Sequence, residues 1–137
     1  MSKKRIITLV FFVFILSACA PPQPRTAYPP LEGIMASREA IFGEVENNVE
    51  VRPNAGNGAK EAEFGTMLFV GGSAESGENG RARIDLLPEG TIIRLAPNSS
   101  FTLEELSEDP SSPFTRLNLL SGEIWIILFG GELETKT

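Results

Sequence analysis

Apolar and charged positions alternate through Ala82-Arg83-Ile84-Asp85-Leu86, through Val45-Glu46 and through Val49-Glu50-Val51-Arg52. A period of two turns successive side chains to opposite faces, so each stretch predicts a strand with one face inward. Turn residues punctuate the pattern at Asn47-Asn48, Pro53-Asn54, Gly71-Gly72, Asn79-Gly80, Pro88-Glu89-Gly90, Pro97-Asn98, Ser121-Gly122 and Gly130-Gly131. Short strands between closely spaced turns predict an all-β fold of antiparallel strands, a sandwich or β-roll. The predicted strands are Ile41–Val45, Val49–Arg52, Met67–Val70, Ala82–Leu86, Thr91–Leu95, Phe101–Leu106, Thr115–Leu120 and Glu123–Phe129. A weak helical signal covers Ile34–Ala40. The expected core is Val45, Val51, Leu68, Ile84, Leu86, Ile93, Leu95, Phe101, Leu103, Leu117, Leu119, Ile124 and Ile126.

The N-terminus follows a different rule. Lys3-Lys4-Arg5 precedes an apolar stretch of eleven residues, Ile6 to Leu16. That run suits the helix of a secretory signal and is shorter than the roughly 20 residues that span a bilayer. Leu16-Ser17-Ala18-Cys19 follows, and resembles the lipobox of bacterial lipoproteins. In that family the signal is cut before the cysteine, whose sulfur carries two acyl chains of the palmitate kind. The resemblance implies recognition by signal peptidase through Leu16, Ser17 and Ala18, and lipid attachment at Cys19. Two or more acyl chains give stable membrane anchoring where one does not. Ala20 to Pro30 then holds five of the ten prolines, which predicts an extended tether. The expected organisation is a signal peptide at 1–18, a lipidated cysteine and tether at 19–30, and a β domain at 31–137.

Composition narrows the function. The 137 residues include 12 Lys+Arg, 18 Asp+Glu, one Cys and no His. Zinc sites, histidine triads, Cys-His nucleophiles and intrachain disulfides are thereby disfavoured. A net charge of −6 argues against nucleic acid as a partner. Losing Lys3, Lys4 and Arg5 with the signal takes the basic residues from 12 to 9 against 18 acidic ones. Anionic head groups repel such a domain, so the acyl lipid must supply the membrane attachment.

The folded part carries a second resemblance. Gly43-Glu44-Val45 with Val49-Glu50-Val51-Arg52, then Gly65-Thr66-Met67-Leu68, Gly80-Arg81-Ala82-Arg83-Ile84, the run from Glu89 to Ser99, and Leu119-Leu120-Ser121-Gly122-Glu123-Ile124-Trp125 resemble a FecR-type domain. The match runs from about Glu39 to the end, with Gly80 to Ser99 its most specific part. It implies an extracytoplasmic β module that passes or receives a signal through protein contact. The best-known members relay ferric-citrate occupancy from an outer-membrane receptor to a sigma factor.

This chain departs from that pattern in three places. Only Met1 to Arg5 precede the apolar run, where the transmembrane regulators have a cytoplasmic domain, so anti-sigma activity is not carried over. Gly71-Gly72-Ser73 stands where the family often has Gly-Asp. The chain stops at Thr137, where the family adds strands, which reads as a truncated member. Ile124-Trp125-Ile126-Ile127-Leu128-Phe129 is apolar on both faces and calls for cover on both sides. Left uncovered, it is an adhesive edge or the seat of a partner.

The remaining motifs favour plain structural roles. Glu104-Glu105, as strand neighbours, point apart and cannot share a proton. Glu75, Glu78 and Asn79, or Glu108-Asp109 with Ser111-Ser112, lack the alternating spacing of a calcium loop. Gly56-Asn57-Gly58-Ala59-Lys60 lacks the ending of a phosphate loop, and Asn98-Ser99-Ser100 matches a glycosylation acceptor by composition alone. Trp125 is expected under the cover of the fold rather than at an interface. Arg81, Arg83 and Arg94 share a solvent face that suits an anion or cross-strand pairing with Asp85 or Glu89. No catalytic residue, metal site or cofactor beyond the lipid on Cys19 is assigned. The sequence therefore points to a non-enzymatic, membrane-anchored FecR-like module. It would act through a protein partner, in signalling or envelope organisation, on the outer side of the cytoplasmic membrane or at the outer membrane. The alternative is a lipoprotein that binds a small molecule or polysaccharide.

Overall fold

The computed structural model describes residues 37–137, which form eleven strands: β1 (Glu39–Glu46), β2 (Val49–Arg52), β3 (Lys60–Glu61), β4 (Met67–Leu68), β5 (Ser73–Ser76), β6 (Arg81–Leu87), β7 (Thr91–Leu95), β8 (Ser100–Leu106), β9 (Phe114–Ser121), β10 (Ile124–Ile127) and β11 (Glu132–Lys136). Two sheets result, ordered β10-β7-β6-β1-β4 and β11-β9-β8-β5-β2-β3. All pairings are antiparallel except β9 with β11, which run parallel. The expected all-β sandwich is what forms. The signal helix, the tether, and Leu16, Ser17, Ala18 and Cys19 lie outside the described residues.

The inward residues of the two sheets meet in one cluster. The first sheet contributes Ala40, Phe42, Leu68, Ala82, Ile84, Leu86, Ile93 and Leu95, and the second Val49, Val51, Ala74, Phe101, Leu103 and Leu117. Val45, Leu119, Ile124 and Ile126, expected in the core, are only partly buried at its margin. Phe42 is buried although Val45 also faces inward, and strict alternation cannot place both there. A β-bulge between Phe42 and Glu44 adds the residue that resolves the parity. The bulge residue is Gly43, and a Cβ there would run into the Asp85 side chain.

Three strands carry no hydrophobic alternation in the sequence. In β5, Ala74 and Ser76 are buried because small side chains suit a central strand under tight cover. β3 has two residues, and β11 reads Glu-Leu-Glu-Thr-Lys with only Leu133 packed on the core. The helical signal over Ile34–Ala40 is corrected where it is described: Ser37 and Arg38 are irregular, and Glu39 and Ala40 open β1. Cross-strand pairing with Leu87 and Leu86 overrides that weak local preference.

Each end of the sandwich is tied by a buried polar knot. At one end, Arg38 donates through Nε and Nη2 to the Glu89 carboxylate in the β6–β7 turn. Its Nη1 donates to Ser107 Oγ at 3.0 Å and Phe114 O at 2.6 Å, and Nη2 to Thr115 Oγ1 at 2.9 Å. At the other end, Ser99 Oγ accepts from the Glu123 N–H at 2.8 Å, and Ser99 N–H donates to Ser76 Oγ at 3.0 Å. Ser76 Oγ donates in turn to Ala96 O. These bonds satisfy groups that would otherwise be buried unpaired.

Candidate functional site

The outer face of the first sheet is built from registered rows. Trp125 lies opposite Arg94, Arg94 opposite Arg83, and Arg83 opposite Glu44. The adjacent outward row runs Ile127, Ile92, Asp85, Ile41 and Met67. One row is charged and ends on an aromatic ring. The other is apolar apart from Asp85.

Arg83 is held within this face. Its Nη2 donates to Asp85 Oδ2 at 3.2 Å, and its Nη1 lies 3.7 Å from Glu44 Oε2. The anions around it offset the like charge of Arg94 directly across the ladder. The Asp85 pairing expected for this group is present, though along one strand rather than across strands. The expected Glu89 pairing is not, because Arg38 takes that carboxylate. Arg81 and Arg94 have no ion pair among the described residues. A shallow groove of about 270 Å³ runs between Glu44, Glu46, Arg81, Arg83, Arg94 and Trp125.

The groove abuts β10, which ends the sheet. Ile124 and Ile126 turn inward and pack on the core. Trp125 is 49% exposed and Ile127 44%, and Leu128 and Phe129 beyond the strand are 51% and 67% exposed. The run expected to need cover on both sides therefore receives it on one. Trp125 is correspondingly not under the fold, which corrects that expectation: as an outward residue of an edge strand it has a neighbouring strand on one side only.

The other edges differ. β4 and β3 have two residues each, and β3 is Lys60-Glu61. β11 carries Glu132, Glu134 and Lys136. Short length and charge both discourage pairing with another chain. β10 has four apolar residues and no charge.

A second groove, of about 440 Å³, opens where β4 meets the end of β8, with Met67, Phe69, Val70 and Leu106 in its lining. Its one basic lining residue, Arg38, is already saturated by Glu89, Ser107, Phe114 and Thr115.

The remaining candidates resolve as structure. A bulge between Leu103 and Glu105 breaks the alternation, so Glu104 and Glu105 both reach cations on the outer face. Glu105 pairs with Arg116 at 2.7 Å and Glu104 with Lys136 at 3.4 Å. Glu134 also pairs with Arg116, and its hydrogen bond holds that guanidinium above its ordinary pKa. Asp109 Oδ1 accepts from Ser111 Oγ and Ser111 N–H, which holds the carboxyl below its ordinary pKa. The Asn54 side chain caps Gly56 N–H, closing the glycine-rich stretch as a turn. Asn98 takes φ 52° at the β7–β8 turn. Among the described residues no group of three or more His, Cys, Asp or Glu is placed to hold a metal ion, and no helix is long and apolar enough to cross a membrane.

Sequence reasoning missed Arg38 as a feature of note, and gave Glu89 the wrong partner. Arg38 and Glu89 are 51 positions apart, and no local pattern links them. Comparison of the chain with protein-family models, with curated proteins and with solved structures finds no match.

Proposed function

We propose that this chain is a non-enzymatic, lipid-anchored, FecR-like module on the outer side of a bacterial membrane, acting through protein contact in signalling or envelope organisation. One observation carries the contact reading: the uncharged edge strand β10 with Trp125, Ile127, Leu128 and Phe129 exposed together. An exposed apolar cluster rimmed by polar residues marks an interaction surface. The anchoring and the FecR likeness rest on the motifs of the sequence, Leu16 to Cys19 and Gly80 to Ser99.

Capture of a small molecule or polysaccharide fits less well. The larger groove is lined mainly by apolar side chains, and its one basic residue, Arg38, is already bound to Glu89, Ser107, Phe114 and Thr115, which leaves only Ser37, Glu39 and Glu108 to meet a ligand.

The test is the intact mass of the protein from the membrane fraction, beside a Cys19→Ala variant. The expected wild-type species lacks residues 1–18 and carries acyl mass on Cys19, and the variant carries none. A full-length species with a free thiol overturns the lipid-anchored reading.

A further inference from the structure

We infer that β10 is the seam of a homodimer, in which the Ile124–Ile127 strands of two copies pair antiparallel and join their five-stranded sheets into one. The inference rests on the protein-contact reading and names the partner as a second copy of this chain.

The first support is the asymmetry of the edges. Shortness or charge protects β3, β4 and β11, and β10 alone of the four sheet ends has neither. Proteins guard edges because free backbone N–H and C=O groups template another strand. An unguarded one suits strand addition, in which main-chain bonds give affinity and alternate side chains give specificity.

The second support is self-complementarity. An isologous contact must fit itself under two-fold symmetry. Pairing centred on Ile126 sets Trp125 opposite Ile127 of the partner subunit, and the symmetry repeats the contact. Aromatic against β-branched is a favourable cross-strand pair. Within each copy Ile127 already lies opposite Ile92, so the outward apolar row continues from Ile92 through Ile127 to Trp125 of the partner subunit.

The third support is charge. The chain bears a net −6, which opposes most contacts between copies. The stretch from Ile124 to Gly131 has no charged residue, so here two copies meet without like charges. In the register centred on Ile126, Glu123 falls opposite Phe129 of the partner subunit, not opposite its own equivalent.

The experiment uses the full chain. A benzophenone amino acid replaces Ile127 in one copy, the wild-type chain is co-expressed, and cells are irradiated before peptide mass spectrometry. The expected adduct joins the probe to a peptide that carries native Ile127, which can only come from a second copy. Light scattering of the full wild-type chain in detergent is expected to give twice the monomer mass. Ile127→Lys is expected to return it to monomer with an unchanged far-ultraviolet circular dichroism spectrum, and with a melting temperature that no longer rises with protein concentration. Should Ile127→Lys perturb folding, Trp125→Lys provides the same readout from the other half of the pair. An adduct to a different protein overturns the homodimer and leaves the contact reading standing. No intermolecular adduct, with a monomeric mass, overturns both.

Discussion

Arg38 and Glu89 form an ion pair that is almost wholly buried, with side chains 2% and 8% exposed. The pair joins the residue before β1 to the β6–β7 turn, and the same guanidinium reaches Ser107, Phe114 and Thr115 on the second sheet. One side chain thus fastens both sheets where the domain begins.

Removing one member leaves the other charged and buried without a partner. Glu89→Ala is expected to lower unfolding free energy by about 3–5 kcal/mol, and Arg38→Met by a similar amount. The double variant Arg38→Met/Glu89→Leu is expected to lose less than the sum, because no orphan charge remains. Urea denaturation of the four proteins measures this coupling.

At Gly43 the constraint is space. A Cβ would collide with the Asp85 carboxylate and crowd Arg83 Nη2. Gly43→Ala is expected to cost about 1–3 kcal/mol as the bulge or the ion pair yields. Combining it with Asp85→Ala is expected to recover part of that loss, as read by thermal melts.

Ser99 is 1% exposed, and its hydroxyl is the partner of the Glu123 N–H. Ser99→Ala leaves that donor without its acceptor. A loss of about 1–3 kcal/mol is expected. Amide exchange at Glu123 is expected to accelerate by more than exchange at Leu86, which sits at the far end of the sandwich.

Phe101 fills the centre of the core and is fully buried. Phe101→Ala is expected to cost about 3–5 kcal/mol, through lost burial and the cavity left behind. Phe64 is 82% exposed, and Phe64→Ala is expected to stay within about 0.5 kcal/mol of wild type. Parallel denaturation curves separate the two.

Asp109 supplies a pH dependence. Ser111 bonds its charged form and lowers its pKa from 3.8. The carboxylate therefore favours the folded turn above the unfolded carboxyl pKa, and that contribution fades as pH falls through the lower folded value. Carboxyl carbon NMR is expected to show the Asp109 midpoint below 3.8 in wild type and moving up in Ser111→Ala.

By itself the sequence determined what depends on neighbours along the chain. Alternation marked Val49–Arg52 and Thr91–Leu95 at their observed bounds, because each has one apolar face and a turn at either end. It also placed Ile84, Leu86, Phe101 and Leu103 in the core, and it singled out the Ile124–Phe129 run. The tertiary structure decided what depends on distant partners. β5 and β11 have little apolar content, and pairing with β2 and β8, or with β9, makes them strands. The bulges at Gly43 and Glu104 altered which residues face inward, since one extra residue changes parity without changing composition. Glu89 found Arg38 rather than Arg83 because the sandwich closes the β6–β7 turn over the start of β1. The exposure of Trp125 follows from the same cause. Position at the end of a sheet is a property of strand order, and strand order is set by packing across the whole domain.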